Sequence, residues 1–243
     1  MTPLIIIVGA EKGGVGKTTL CRAIAAWMES PALKDLPRPQ LVDCQYPRGD
    51  LARFHQEAEI FNITDFQYQM RLFDELEGVK IVDLPAGVLG LTLRACDDAM
   101  LLDLVRNGKV RMALLHVLGE SVSSLDEIAD ATELLGKSAE HFIVKNYLNE
   151  SKWDWENSKY ANSLQALAAR TIEIPHLAAD AAKMMQKAQS PILDFITDTP
   201  LARGTDGRPI SRTARGAAGK WLERCGREFD KVGLDKMIQD TFR

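Results

Sequence analysis

The sequence holds no C-x-x-C pair. Its four cysteines, Cys21, Cys44, Cys96 and Cys225, are scattered along 243 residues, which argues against a disulfide framework or a thiolate metal site and fits a reducing compartment. An excess of positive charge is missing too. The 30 Lys and Arg against 34 Asp and Glu leave a formal net charge of −4, so the whole molecule is not a strongly basic nucleic-acid binder. No apolar run approaches the ~20 residues of a membrane span. The first residues lack the basic region and small-residue cleavage site of a secretory signal, so a cytoplasmic location is expected. His55, His116 and His141 do not fall at a metal-ligand spacing. Internal repeats and low-complexity tracts are absent. What is present is an ordinary globular composition, 46% hydrophobic and 26% charged, in a length that suits one large α/β domain or two small ones.

Short apolar runs alternate with helical stretches, the pattern of an α/β fold with a doubly wound, mostly parallel sheet flanked by helices. Strands are expected at Leu4 to Val8, Gln40 to Cys44, near Ile60 to Phe66, and at Val79 to Leu84, Val110 to Val117, His141 to Asn146 and Thr171 to Ile174. Helices are expected over Lys17 to Met28, Leu89 to Leu104, Val122 to Leu135, Glu156 to Ala169 and Leu177 to Ala188. After Pro191 the periodicity weakens. Residues 198–213, with Pro200, Gly204, Gly207 and Pro209, read as an irregular loop, and a last helix begins near Thr213. The expected organisation is a single domain over residues 1–243, with 214–243 a C-terminal helical extension.

Directly after the first strand stands VGAEKGGVGKTTL, residues 8–20. Glycines let successive backbone N–H groups turn toward one anion, and the helix that follows adds its free N–H groups and the positive end of its dipole. Gly13, Gly14, Val15, Gly16, Lys17, Thr18 and Thr19 are the candidate phosphate cradle. Lys17 would reach the β- and γ-phosphates and the Thr18 hydroxyl would hold Mg²⁺. Ligands of such a fold lie beyond the carboxyl ends of the strands. Two acids end strands there: Asp83, placed to hold Mg²⁺ through water, and Asp43 on the neighbouring strand. Gly87, four residues past Asp83, offers an N–H to a terminal phosphate.

The string K-G-G-x-G-K-[ST], from Lys12 to Thr18, resembles the deviant Walker A motif of the ParA/MinD family of phosphate-loop ATPases, and it is closer to ParA-like members. The first glycine of the ordinary pattern falls on Glu11, a position where ParA-like members often carry a polar residue. The resemblance implies that Lys12 crosses the interface of an ATP-sandwich homodimer and touches the partner's phosphates. Asp83-Leu84-Pro85-Ala86-Gly87 looks like the family's D-x-P-[AP]-G switch II. The family's D-x-D-P switch I is altered to Asp43-Cys44-Gln45-Tyr46-Pro47. Asp43 is favoured as the catalytic acid and as a metal-side group, and Gln45 in the place of the second aspartate stays open; glutamine orients water but is a poor base. Asn146 resembles the base-reading asparagine, and Ile174-Pro175-His176 the segment whose backbone lines the adenine pocket. No N-K-x-D guanine motif is present, so ATP is expected over GTP. The likeness runs over roughly residues 4–193. The cluster cysteines of iron–sulfur relatives are missing.

What such a switch drives is less defined. Arg203, Arg208, Arg212, Arg215, Lys220, Arg224 and Arg227 crowd a short region of an acidic chain. Ala214, Ala217, Ala218, Trp221, Leu222, Cys225 and Phe229 share one helical face, read as core, with Arg215, Arg224 and Arg227 largely away from it. Arg203, Arg208, Arg212, Arg215, Arg224 and Arg227 are therefore candidate contacts to the phosphates of non-specific DNA, which would bring the protein to the nucleoid. The resemblance implies slow MgATP hydrolysis, stimulated by an adaptor protein, in the service of partitioning DNA or another cargo. The alternatives are a MinD-like membrane or partner switch and an ATP-dependent small-molecule synthetase. Lys236 to Arg243 is too polar for a membrane anchor.

Overall fold

Leu4, Ile5, Ile6, Ile7 and Val8 have no polar face, so the strand they form must be covered on both sides. In the computed structural model, which describes residues 1–74, 76–118, 126–147, 169–203 and 207–243, this strand is β1, Leu4–Gly9, buried throughout. The other strands are β2 (Gln40–Asp43), β3 (Glu59–Ile60), β4 (Val79–Asp83), β5 (Arg111–Val117), β6 (Glu140–Asn146) and β7 (Arg170–Ile174). They make one seven-stranded sheet in the order β3-β2-β4-β1-β5-β6-β7, and every pairing is parallel. From β1 the chain builds β2, β3 and β4 on one side and then crosses from β4 past β1 to β5, β6 and β7 on the other, so the α/β sheet is doubly wound.

The helices are α1 (Lys17–Met28), α2 (Phe66–Phe73), α3 (Leu89–Asp98), α4 (Leu102–Arg106), α5 (Asp126–Leu135), α6 (Ala179–Ala188), α7 (Ile192–Thr197), α8 (Arg212–Lys231) and α9 (Leu234–Thr241). Alternation along β1 sorts them into two layers. Leu4, Ile6 and Val8 face a core shared with α1, α6, α7 and α8. Ile5 and Ile7 face a second core closed by α2, α3, α4 and α5.

Several expected elements change in detail. The stretch from Leu89 to Leu104 is two helices, because Met100 takes φ 60°, and Arg106 clamps the junction through Asp97 at 2.6 Å and Asp103 at 3.0 Å. The strand expected near Ile60 to Phe66 stops at Ile60, since Asp65 accepts from Gln67 N–H at 2.9 Å and caps α2. Ile192–Thr197 is helical although the periodicity there is short. The expected helix over Glu156 to Ala169 lies outside the described residues except for Ala169, which is not helical, and the first turn of the one from Val122 and Gly204 lie outside them too.

The apolar face of α8 is buried as its periodicity requires. Trp27 of α1 meets Phe229 with ring centroids 5.1 Å apart. A Cβ on Gly226 would lie 2.8 Å from Trp27 Cδ1, so this helix-interior glycine exists to admit the indole. The last helix, α9, packs at the end of the sheet opposite the glycine loop that follows β1. Arg111 at the start of β5 donates to the Met237 carbonyl at 2.9 Å, and the Phe242 ring lies against Gly78, just before β4. Among the described residues no helix is long and apolar enough to cross a membrane.

Candidate nucleotide site

The loop between β1 and α1 turns through two left-handed glycines, Gly14 at φ 76° and Gly16 at φ 95°, a region costly for any residue with a Cβ. The space over Gly13 and Gly14 is open. Gly16 caps α1, and its carbonyl accepts from Leu20 N–H at 3.0 Å. Val15 and Lys17 are buried, Thr18 and Thr19 half-buried, and Lys12 exposed. The loop thus presents backbone donors at a helix N-terminus, with a buried ammonium beside them, an arrangement that can hold an anion.

Thr18 Oγ1 donates to Asp83 Oδ2 at 2.6 Å, joining α1 to the end of β4. Asp83 is fully buried, and its Oδ1 has no hydrogen-bond partner. Burial drives its pKa up to about 7. The Thr18 hydroxyl and Lys17 oppose the rise, while Asp43 and Asp50 add to it. A buried carboxylate with a bare oxygen, beside a hydroxyl and a second acid, is left short of positive charge even with Lys17 nearby. A hard divalent cation with oxygen ligands fits this donor set; Thr18 and Asp83 would hold it, and it would supply charge neutralisation for phosphate oxygens.

Asp43 is register-paired with Asp83 across β2 and β4, but both its oxygens are engaged. Oδ1 accepts from Gln45 N–H at 2.9 Å and Oδ2 from Ala52 N–H at 2.8 Å. In this state Asp43 shapes the following loop. The Gly87 N–H, expected to face a phosphate, donates instead to the Ala10 carbonyl at 3.0 Å, so the segment after β4 is tied to the loop after β1.

Asn146, at the end of β6, reaches the same loop. Its Nδ2 donates to the Val15 carbonyl at 2.7 Å, and a Cβ on Gly16 would fall 2.1 Å from that nitrogen. Asn146 therefore braces the glycine loop. Pro175 follows β7, and its carbonyl accepts from Trp221 Nε1 at 2.8 Å. His176 beside it is exposed.

The arginines do not form one free patch. Arg203 makes two contacts of 3.1 Å to Asp198, Arg215 lies 3.8 Å from the same carboxylate, and Arg227 pairs with Glu223 one turn away on α8. Arg208, Arg212 and Arg224 are exposed. Asp198 also accepts from Ile210 N–H at 3.0 Å, so it staples the irregular loop to the start of α8. Its carboxyl is held below the ordinary range by that backbone bond first and the arginines second.

Three residues escaped the sequence reading. Asp50 sits on the loop that Asp43 shapes. Trp221 was taken for core alone, although its indole N–H is what holds the Pro175 segment. Arg22 is buried on α1 with its guanidinium 3.6 Å from the Phe54 ring centroid. It donates to the Ser190 carbonyl at 3.3 Å, and burial lowers its pKa to about 9. An arginine at a core-facing helical position was the available signal for the last.

No protein-family model matches the chain, and no curated protein matches its sequence. Among solved structures it is similar to the MinD cell division protein of Aquifex aeolicus, at 15% identity and a TM-score of 0.45, over 90% of this chain and 97% of that one. The MinC:MinD cell division protein complex of the same organism gives 15% identity and a TM-score of 0.43, over 90% and 96%.

Proposed function

We propose that this chain is an ATP-dependent molecular switch that binds and slowly hydrolyses MgATP, closes into a homodimer around the nucleotide, and uses that cycle to position DNA or another cargo. The observation that carries the reading is the glycine loop at the carboxyl edge of β1, with buried Lys17 behind it and Thr18 bonded to Asp83. Lys17 would offset charge on the terminal phosphates, and Thr18 with Asp83 would hold Mg²⁺. Lys12 is exposed on this loop, where it is available to a second copy's phosphates. Asn146, Pro175 and His176 would lie on the base side, Asn146 doing so while it braces the loop.

Hydrolysis needs rearrangement on this reading. The Gly87 N–H must leave the Ala10 carbonyl to meet a phosphate, which suits a slow enzyme stimulated by an adaptor. DNA contact would fall first to the exposed Arg212 and Arg224, since Arg203, Arg215 and Arg227 pair with Asp198 and Glu223. The packing of α9 against Arg111 and Gly78 gives no support to a membrane anchor.

The test is equilibrium binding of a fluorescent ATP analogue with Mg²⁺, followed by binding to non-specific duplex DNA at low salt with ATP, ADP or no nucleotide. Nucleotide binding lost in Lys17→Ala, with DNA binding only in ATP, is the expected result. Nucleotide binding without any DNA response would move the output to a protein partner. ATP turnover that needs a small acid or amide and ignores Lys12→Ala would instead identify a synthetase.

A further inference from the structure

One face of α8 is left open by the core. Gly219, Leu222, Gly226 and Asp230 recur on it at helical spacing. With Trp27 of α1 and Ile196 of α7 they line a groove of about 550 Å³, within the roughly 300–1,000 Å³ of small-molecule sites. The face runs about 16 Å along the helix axis from Gly219 to Asp230. Glycine keeps it open. A Cβ on Gly219 would have Ile196 Cγ2 as its nearest neighbour, at 3.8 Å, so that a side chain there has room and none is supplied. Ile196 and Leu222 are half-buried and present apolar surface to the groove. The charged groups are not equivalent. Glu29 is taken up by Arg38 at 3.0 Å, and Glu223 by Arg227. Asp230 makes no ion pair among the described residues; its carboxylate is hydrogen-bonded to the Trp27 indole, which holds it at one end of the groove. Partial burial, and then Asp235, push its carboxyl above the ordinary range, the mark of negative charge short of a counter-charge. Trp27 lies at the opposite end of α1 from Thr18, ~14 Å along the helix axis, so the groove is separate from the glycine loop.

We propose that this groove binds a small apolar organic cation, with its ammonium group on Asp230 and its apolar chain laid over Leu222 and Ile196 toward Gly219. The length of the apolar floor calls for a linear body, and the carboxylate at its end sets the sign of the head group. An anionic amphiphile of the same length would place its head beside Asp230 and Asp235, where like charges repel it. The inference goes beyond the nucleotide switch and does not depend on it.

The experiment titrates the full chain with decylammonium chloride and, separately, with sodium decyl sulfate, each below its micellar concentration, by isothermal titration calorimetry. Saturable binding of decylammonium at one site is expected, with decyl sulfate weaker by about tenfold or more. Gly219→Leu puts a side chain into the groove from a position where its Cβ has room, and should abolish the saturable binding. Gly216→Leu, on the exposed face of α8 where an added Cβ meets nothing within 4 Å, should bind as the native protein does. Asp230→Asn keeps an acceptor for the indole and should lose about tenfold in decylammonium affinity, the scale of one charge-assisted hydrogen bond. Equal affinity for the two amphiphiles, or native affinity in Asp230→Asn, overturns the cation preference and with it the proposal. Native binding in Gly219→Leu overturns the assignment to this groove, as does an equal loss in Gly216→Leu. A native protein that binds no decylammonium overturns the proposal outright and would leave the groove to a protein partner.

Discussion

Replacing Asp83 by Asn should stabilise the metal-free protein at pH 8 relative to pH 5. Asp83 is buried, with one oxygen bonded to Thr18 and the other bare, and its pKa rises from 3.8 to about 7. A raised carboxyl favours the protonated native state. The associated stability is fully present below pH 3.8 and is lost as pH rises through about 7. Between pH 5 and pH 8 that loss is about 2.5 kcal/mol at 1.36 kcal/mol per pKa unit. Asparagine keeps an acceptor for the Thr18 hydroxyl and does not titrate. It puts an amide where the bare oxygen was, at a cost of about 1–3 kcal/mol at every pH. The stability difference between variant and native protein should therefore move by about 2.5 kcal/mol in the variant's favour from pH 5 to pH 8. The assay is urea unfolding of both proteins in chelator at the two pH values; other titrating groups cancel in the difference. With Mg²⁺ and nucleotide the difference should move back toward the native protein, which keeps the carboxylate on the metal side and so gains more binding energy. A difference that is the same at pH 5 and pH 8 would refute the argument that burial governs this carboxyl.

Further consequences are open to measurement. Gly16→Ala should destabilise by about 2 kcal/mol, from the left-handed backbone and the displaced Asn146 amide; pairing it with Asn146→Ala should recover part of that loss, and strict additivity would show that the two do not meet. His116, stacked on His141 in the core with nitrogens 3.1 Å apart, has its pKa lowered from 6.5 to about 3 by burial and then by His141. Its neutral form is the native one, so stability should fall by about 2 kcal/mol on going from neutral pH to pH 5, a slope that His116→Gln should flatten in calorimetry. Lys12→Ala should leave the melting temperature within about 2 °C, as for an exposed side chain, while abolishing ATP-dependent dimerisation in light scattering; an ATP dimer that persists without Lys12 would remove the cross-interface role. Asp198→Ala should release Arg203 and Arg215 and raise low-salt DNA affinity if the region meets phosphates.

Local pattern and tertiary pairing divide the protein between them. The run from Leu4 to Val8 can only be a two-sided buried strand, and three glycines before Lys17 and Thr18 can only turn a backbone around something small. Those features, and the apolar face of α8, follow from residue type and spacing, because period and backbone freedom are local properties. The break at Met100 and the capping role of Asp65 turn on single residues whose conformation neighbours decide, so they were less visible. The direct bonds between distant residues could not be read from spacing, although the motifs had placed Thr18, Asp83 and Asn146 around one ligand. Thr18 meets Asp83 across 65 residues and Asn146 meets Val15 across 131, separations over which no spacing rule operates. Asp43 looked like a free acid at a strand end, and only the folded loop shows both its oxygens occupied. The arginines looked like one basic patch until Asp198 and Glu223 took up three of them. Sequence determined which groups exist and on which kind of element. The tertiary structure decided which of them are already satisfied, because a hydrogen bond or ion pair belongs to two residues and its second member comes from elsewhere in the chain.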